Sequence, residues 1–492
     1  MTTRKEIIEF GDFQTPGSLA LEVCECIAKA DINPRYIIEP TCGQGEFLVA
    51  ASKVFLNSKL KGYEINPQYC LQAEQKCQVT TIKSENLEIH QADFFKKKWI
   101  DELPPDDERL LVLGNPPWVT NSVLASLDSE NAPVKANFQA KSGMDAMTGS
   151  ANFDISEWML LQILDWFKKR SGAIAMLVKS AVARKVLMHA QEKKLLVSKA
   201  WIAKIDAKLH FNVSVDACLL FISVDQSIAP KEFSYKVFPN LELKAGQEVG
   251  LFQGMWVSDP QSLSQSSHLL RVSKCHEDSK WRSGIKHDAA AVCELTRQGE
   301  ALLNGLQQEV HIESDYLYPM LKGSEVARGA IWSGRQLLVT QKSVGQNTEL
   351  ISILAPKTWA YLMRHAEIFD RRASSIYKNN PRFSIFGVGS YSFKPWRVAI
   401  CSLYKKLGFI MVGPIDGKPV MFDDTVYYLA FDTEIQARVV LEQLRYPSIQ
   451  NLLNAMIFWD DKRPIKTSIL NRIDLHVDVE DGISKQIGLE LA

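Results

Sequence analysis

Two patterns of apolar residues recur through residues 1–226. Short apolar runs occur at Tyr36-Ile37-Ile38, Leu60 to Ile65, Leu87 to Ala92, Leu110 to Leu113, Gly172 to Val178, Ala200 to Ile205 and Asp216 to Ser223. Their length and flanking turn residues predict strands. Stripes at helical spacing cover Leu19 to Ala30, Phe47 to Val54 and Ile155 to Lys169. Strands separated by helices predict a doubly wound α/β sheet. After Val224 the alternation stops, so residues 227–492 are expected to form a second domain of mixed α+β character. Within it, Asp432 to Leu444 and Ile449 to Phe458 read as amphipathic helices. Thr120 to Asn152 has no periodicity and is rich in Ser, Ala, Asn and Gly. So long an insert in a compact domain reads as a functional lid or as an unstructured segment.

The first four strands each end in residues suited to holding a ligand. After the first comes Glu39-Pro40-Thr41-Cys42-Gly43-Gln44-Gly45, where Gly43 and Gly45 allow close backbone approach. The third glycine of a dinucleotide fingerprint is replaced by Leu48, which argues against a nicotinamide or flavin cofactor. The second strand ends in Glu64, a carboxylate placed to accept both hydroxyls of a ribose. The third runs into Asp93-Phe94-Phe95. The fourth stops at Gly114-Asn115-Pro116-Pro117-Trp118. The two prolines stiffen that turn. The Asn115 side chain and the Pro116 carbonyl supply two acceptors for one planar amino group. Trp118 supplies a flat face for a planar ring.

In this order, with Phe13-Gln14-Thr15-Pro16 leading, the motifs resemble those of the gamma class of S-adenosylmethionine-dependent N6-adenine DNA methyltransferases, the TaqI type. Segments Trp281 to Asp288 and Asp315 to Gly323 resemble the start of that family's recognition domain. The resemblance implies a Rossmann-like methyltransferase domain over 1–226 and a DNA target-recognition domain over 227–492. It implies that Thr15 and Glu39 hold the methionine end of the cofactor, Glu64 the ribose, and Asp93 with Phe94 the adenine. Pro40, Cys42, Gly43, Gly45, Ile65 and Asn115 would complete the cofactor site. Asn115 and Pro116, stiffened by Pro117, would hold the target amino group, with Trp118 stacking on a flipped base. Phe211 stands where the family places a further base-contacting aromatic, and a plain core role is its alternative. Lys179-Ser180 departs from the proline the family often carries after the fifth strand.

Composition narrows this picture. The chain has 492 residues and equal counts, 57 each, of basic and acidic residues, so a DNA surface must be a local patch. From Arg371 to Ile410 there is no Asp or Glu. Arg371, Arg372, Lys378, Arg382, Lys394, Trp396, Arg397 and Lys405 lie there and are candidate DNA contacts, a solvated sheet face being the alternative. Lys135 and Lys141 of the long insert are further candidates. The nine cysteines have irregular spacing and read as free thiols, and His287-Asp288 reads as structural. No signal-peptide pattern and no membrane-length apolar run occur, so a cytoplasmic, monomeric enzyme without metal is expected. No acidic nuclease constellation is evident, so any restriction endonuclease would be a separate protein acting on the same double-stranded DNA. Rival readings are N4-cytosine methylation, glutamine methylation of a protein, and a DNA-binding module with an inactive methyltransferase fold.

Overall fold

A computed structural model of the chain describes residues 14–79, 86–119, 154–271, 279–329 and 332–475. The chain divides into two compact units, Met1–Pro260 and Gln261–Ala492. The insert expected to be a lid, with Lys135 and Lys141, lies outside the described residues.

The first unit is built on ten strands: β1 (Tyr36–Glu39), β2 (Lys59–Glu64), β3 (Leu87–Gln91), β4 (Leu110–Gly114), β5 (Gly172–Lys179), β6 (Val197–Ile205), β7 (Ala217–Val224), β8 (Tyr235–Phe238), β9 (Gln247–Phe252) and β10 (Met255–Val257). They run in the order β10-β9-β8-β6-β7-β5-β4-β1-β2-β3. β3, β2, β1, β4 and β5 are parallel neighbours, and β7 runs antiparallel between β5 and β6. The chain winds outward from β1 to β3, then returns to lay β4 on the other side of β1. That reversal opens a crevice beyond the carboxyl ends of β1 and β4, where ligands of such sheets bind.

β4 is buried along its whole length, which explains its unbroken apolar run. Leu111, Val112 and Leu113 are at most 1% exposed, so truncating one to alanine costs about 2–5 kcal/mol. Helices α1 (Gly17–Ala28), α2 (Glu46–Val54), α3 (Pro67–Val79), α4 (Ile155–Trp166), α5 (Ser180–Glu192) and α6 (Ala207–Phe211) accompany the sheet. α3 has a thin stripe, burying Cys70, Ala73 and Cys77 among polar residues.

The boundary expected at residue 227 is corrected. β8 pairs in parallel with β6, and β9 and β10 extend that edge, so the unit ends at Pro260. These strands are only four, six and three residues long and partly exposed, so they lack a strong apolar signature.

The second unit is mixed α+β, as expected. One sheet has the order β11 (Arg282–Ser283), β19 (Val426–Phe431), β16 (Trp396–Cys401), β17 (Ile410–Val412). The other has the order β13 (Ala301–Leu303), β12 (Glu294–Gln298), β15 (Arg335–Leu338), β14 (Leu317–Leu321), β18 (Met421–Phe422). The two amphipathic stretches form α7 (Glu434–Arg445) and α8 (Pro447–Met456). Thr433 caps α7 by accepting from the Gln436 amide, while the Gln436 side chain accepts from the Thr433 amide. Among the described residues, no helix is long and apolar enough to cross a membrane.

Candidate active site

The segment before α1 reaches back across the carboxyl edge of the sheet. The Gln44 amide donates to Gln14 Oε1 at 3.2 Å, which ties this segment to the glycine loop. Asn115 Nδ2 donates to Thr15 Oγ1 at 3.3 Å, which ties it to the turn after β4. The Gln14–Thr15 segment thus joins the two motifs. With Nδ2 on Thr15, the carbonyl end Oδ1 is turned the other way, as an acceptor must be. Gly114 permits this approach: its φ is 150°, and a Cβ there would lie 3.3 Å from Glu39 Cγ.

The glycine loop leads into α2. Gly45 caps that helix in the left-handed region, with φ 82°, and an added Cβ would meet Ala73 at 3.0 Å. Glu64 is nearly buried and its carboxylate organises the loop. Oε2 accepts from the Gly43 amide at 2.9 Å and Oε1 from the Asn66 amide at 2.8 Å. Cys42 is buried in the same loop, and burial with the nearby Glu39 and Glu64 charges pushes its thiol up, so it stays protonated. Pro40 is also buried, so what this loop offers a ligand is mainly backbone.

Glu39, at the end of β1, is the most unusual group of this edge. It is 2% exposed, and its Oε2 is buried without a hydrogen-bond partner. Burial, then the Glu64 charge, hold its carboxyl well above the usual range, against an opposing Leu48 amide. A buried carboxyl oxygen without a partner is costly unless a donor arrives to satisfy it. An ammonium-bearing ligand in the crevice fits that need.

At the end of β3, Asp93 Oδ1 accepts from the Phe95 amide at 2.9 Å and Oδ2 pairs with the exposed Lys96 at 3.3 Å. Phe94, expected with Asp93 at the cofactor's adenine, presents little open surface. Phe94 is 5% exposed because it packs against Phe95, Trp99 and Trp166 at centroid distances of 5.2, 5.1 and 6.2 Å. The apolar side chain that stands open here is Ile65, 38% exposed, directly after Glu64.

Beyond Asn115, Pro116 is buried and Pro117 partly so. Trp118 is held by its indole N–H, which donates to the Leu177 carbonyl of β5 at 3.1 Å. Its ring is 6% exposed, so the open stacking face expected of it is covered here. Phe211, at the end of α6, meets Trp118 edge-on at 5.2 Å and is the more open ring. The two aromatics named from sequence therefore stand together, as one corner beside the acceptor turn.

The basic stretch of the second unit fares differently. Arg397 is fully buried and donates to the backbone carbonyls of Lys394 at 2.6 Å and Ser392 at 2.5 Å. Arg372 is buried too, bonded to the carbonyls of Phe369, His287, Ser384 and Arg382 and lying 3.6 Å over the Tyr377 ring. Their role as DNA contacts is corrected: both guanidiniums satisfy loop carbonyls inside the fold. Arg371 pairs with Glu367, Arg382 with Asp370 and Lys394 with Asp432, so acids elsewhere in sequence offset much of the stretch. Trp396 is half-buried over Gly413. Lys378 and the β16–β17 connection, with Leu403, Tyr404, Lys405 and Lys406 all exposed, keep a cationic and aromatic surface. His287 is buried, accepts from the Ala289 amide and faces Glu294, and burial lowers its pKa, which agrees with a structural role.

Sequence reasoning missed Gln14, although it lies in the same motif as Thr15, and the Lys179–Asp154 pair at the end of β5, joined at 2.7 Å.

Comparison with known proteins places these features in a family context. A family model described as N-6 DNA Methylase matches residues 1–237. The chain is similar to the type II methyltransferase M.NspV of Nostoc sp. (strain ATCC 29411 / PCC 7524), 44% identical over 96% of this chain and 98% of that one. It is 35% identical to the type II methyltransferase M.CvrRI of Paramecium bursaria Chlorella virus XZ-6E over 24% of this chain and 27% of that one. Among solved structures, it shares the fold of the type IIL restriction-modification enzyme MmeI in complex with DNA. That match has a TM-score of 0.59 at 12% identity and covers 96% of this chain and 69% of that one.

Proposed function

The chain belongs to the N-6 DNA methylase family and is a DNA methyltransferase of the restriction-modification type, and we propose that it methylates N6 of a flipped-out adenine in duplex DNA. S-adenosylmethionine is the proposed donor, and when bound it supplies an electrophilic methyl group. The observation that carries this reading is the Thr15–Asn115 contact beside the buried, partnerless Glu39 oxygen. It brings an amino-group acceptor and an ammonium acceptor to one crevice.

In this reading Glu39 Oε2 accepts from the ammonium of the methionine end. Glu64 stands beside the ribose, the open Ile65 covers one face of the cofactor's adenine, and Asp93 accepts from that ring's amino group. Asn115 Oδ1 and the Pro116 carbonyl accept the two hydrogens of the target amino group. That contact favours a pyramidal nitrogen whose lone pair is localised for attack, and positioning supplies much of the rate. A base-paired amino group is out of reach, so the base must leave the stack. Trp118 and Phe211 form the corner that receives it.

The adenine assignment rests on the family and the order of motifs, because the acceptor turn serves cytosine N4 equally well. The DNA surface we propose includes Lys378 and the Tyr404-Lys405-Lys406 tip. We further propose that a separate endonuclease recognises the same site. Expression in a methylation-free host, followed by modification-sensitive sequencing, tests the reading. Modified adenine at one short recurring site is expected; modified cytosine or unmodified DNA would overturn it.

A further inference from the structure

We propose that Lys179 is a positioning residue that holds the acceptor turn in its working shape, an inference that rests on the amino-methylation reading above. Pro116 and Pro117 have no N–H, so the turn cannot be tied down through their amides. It is tied instead at Trp118, twice, to the last residues of β5. The indole N–H donates to the Leu177 carbonyl at 3.1 Å, and Lys179 Nζ donates to the Trp118 carbonyl at 3.0 Å. The same ammonium donates to Asp154 Oδ2 at 2.7 Å, with the Asp154 side chain only 6% exposed. Asp154 in turn caps α4, its Oδ1 accepting from the Ser156 amide at 3.1 Å and hydroxyl at 2.5 Å. The Ile155 amide closes the group by donating to the Val119 carbonyl at 2.9 Å.

One ammonium therefore joins three elements: the end of β5, the turn after β4 and the start of α4. Three donors on a single nitrogen suit that bridging task, and the sheltered carboxylate makes the bond to it a charge-assisted one. Fixing the Trp118 peptide fixes the end of the short proline segment whose other end carries the Pro116 carbonyl. That carbonyl must accept one amino hydrogen, so its direction sets how well the target nitrogen is aimed.

The test uses full-length protein, tritiated S-adenosylmethionine and plasmid DNA from a methylation-free host. Lys179→Met is expected to lower kcat about tenfold or more, with cofactor affinity and KM for DNA changed less than about threefold. Lys179→Arg, which keeps charge and donors, is expected to recover most of the rate. Because Lys179→Met strands the sheltered Asp154 carboxylate, Lys179→Met/Asp154→Asn is measured beside it as a variant without that charge. An unchanged kcat in folded variants would overturn the proposal. So would an equal loss of cofactor affinity, or a double variant that fails to fold. Wild-type protein that transfers no methyl to any DNA would instead sink the underlying reading.

Discussion

Glu39→Gln should change the pH dependence of both stability and cofactor binding. The native carboxyl is 2% exposed, has one oxygen without a partner and is held well above the usual range by burial and by Glu64. Below the ordinary value of 4.5 it is protonated in folded and unfolded chains alike and contributes no pH dependence. Above that value the unfolded chain releases the proton while the folded chain keeps it. The folded state then binds more protons, so stability falls as pH rises, until the folded carboxyl itself ionises. The slope in that window is about 1.4 kcal/mol per pH unit. A glutamine amide cannot ionise, so the variant should gain on wild type steadily as pH rises through the window. Urea denaturation of both proteins at several pH values reads the difference. Binding supplies a second arm. If an ammonium docks on Glu39, cofactor binding should release up to about one proton, seen by calorimetry in buffers of different ionisation enthalpy. A charged hydrogen bond of about 1.5–3 kcal/mol predicts a roughly ten- to hundredfold weaker Kd in Glu39→Gln. Identical pH profiles for the two proteins, with no proton release on binding, would refute the reasoning.

Asn115→Ala should abolish methyl transfer while cofactor affinity stays within a few-fold, and Glu64→Ala should chiefly weaken the cofactor; calorimetry of both decides whether the two roles are separate. Thr15→Val removes the hydrogen bond that holds the Asn115 side chain, and the loss of about 1 kcal/mol should lower single-turnover rate roughly fivefold. Arg397→Met should destabilise the second unit, leaving loop carbonyls buried without donors, rather than weaken DNA binding selectively; urea unfolding beside DNA titration separates the two. Lys405→Ala/Lys406→Ala should leave stability unchanged and flatten the salt dependence of DNA binding by about one unit per lysine that contacts phosphate, which titrations over a salt series check.

The catalytic sheet was legible because its inner strands are buried on both faces and therefore unbroken in sequence, β4 above all. Each of its first four strands also stops at a residue with obvious chemistry, which marked the carboxyl edge. β8 to β10 were invisible, because short edge strands with exposed faces carry no apolar signature. The same logic explains the site. Glu39, Glu64 and Asn115 fall together because sheet topology places strand ends side by side, and Thr15 joins them through its contact with Asn115. Sequence names Phe94 as an aromatic without saying which way its ring packs, and the fold lays it against Phe95, Trp99 and Trp166. The basic stretch misled for a related reason. An absence of acid along the chain is no absence in space, as Asp370 beside Arg382 and Asp432 beside Lys394 show. Nor does a positive charge imply solvent, since Arg397 and Arg372 sit inside the fold on backbone carbonyls. Lys179 gave one sequence signal, its departure from the resembled pattern, but its partner Asp154 lies across the long insert and only the fold joins them.

The central claim is that the Asn115 turn presents a target amino group to a methyl donor held over Glu39 and Glu64. Its most direct test is nucleoside mass spectrometry of unmethylated DNA incubated with S-adenosylmethionine and either wild-type or Asn115→Ala protein. The account predicts N6-methyladenine with wild type and no methylated nucleoside with the variant. N4-methylcytosine would contradict the choice of base, and methylation on ring carbon, or undiminished product from Asn115→Ala, would contradict the acceptor-turn chemistry itself.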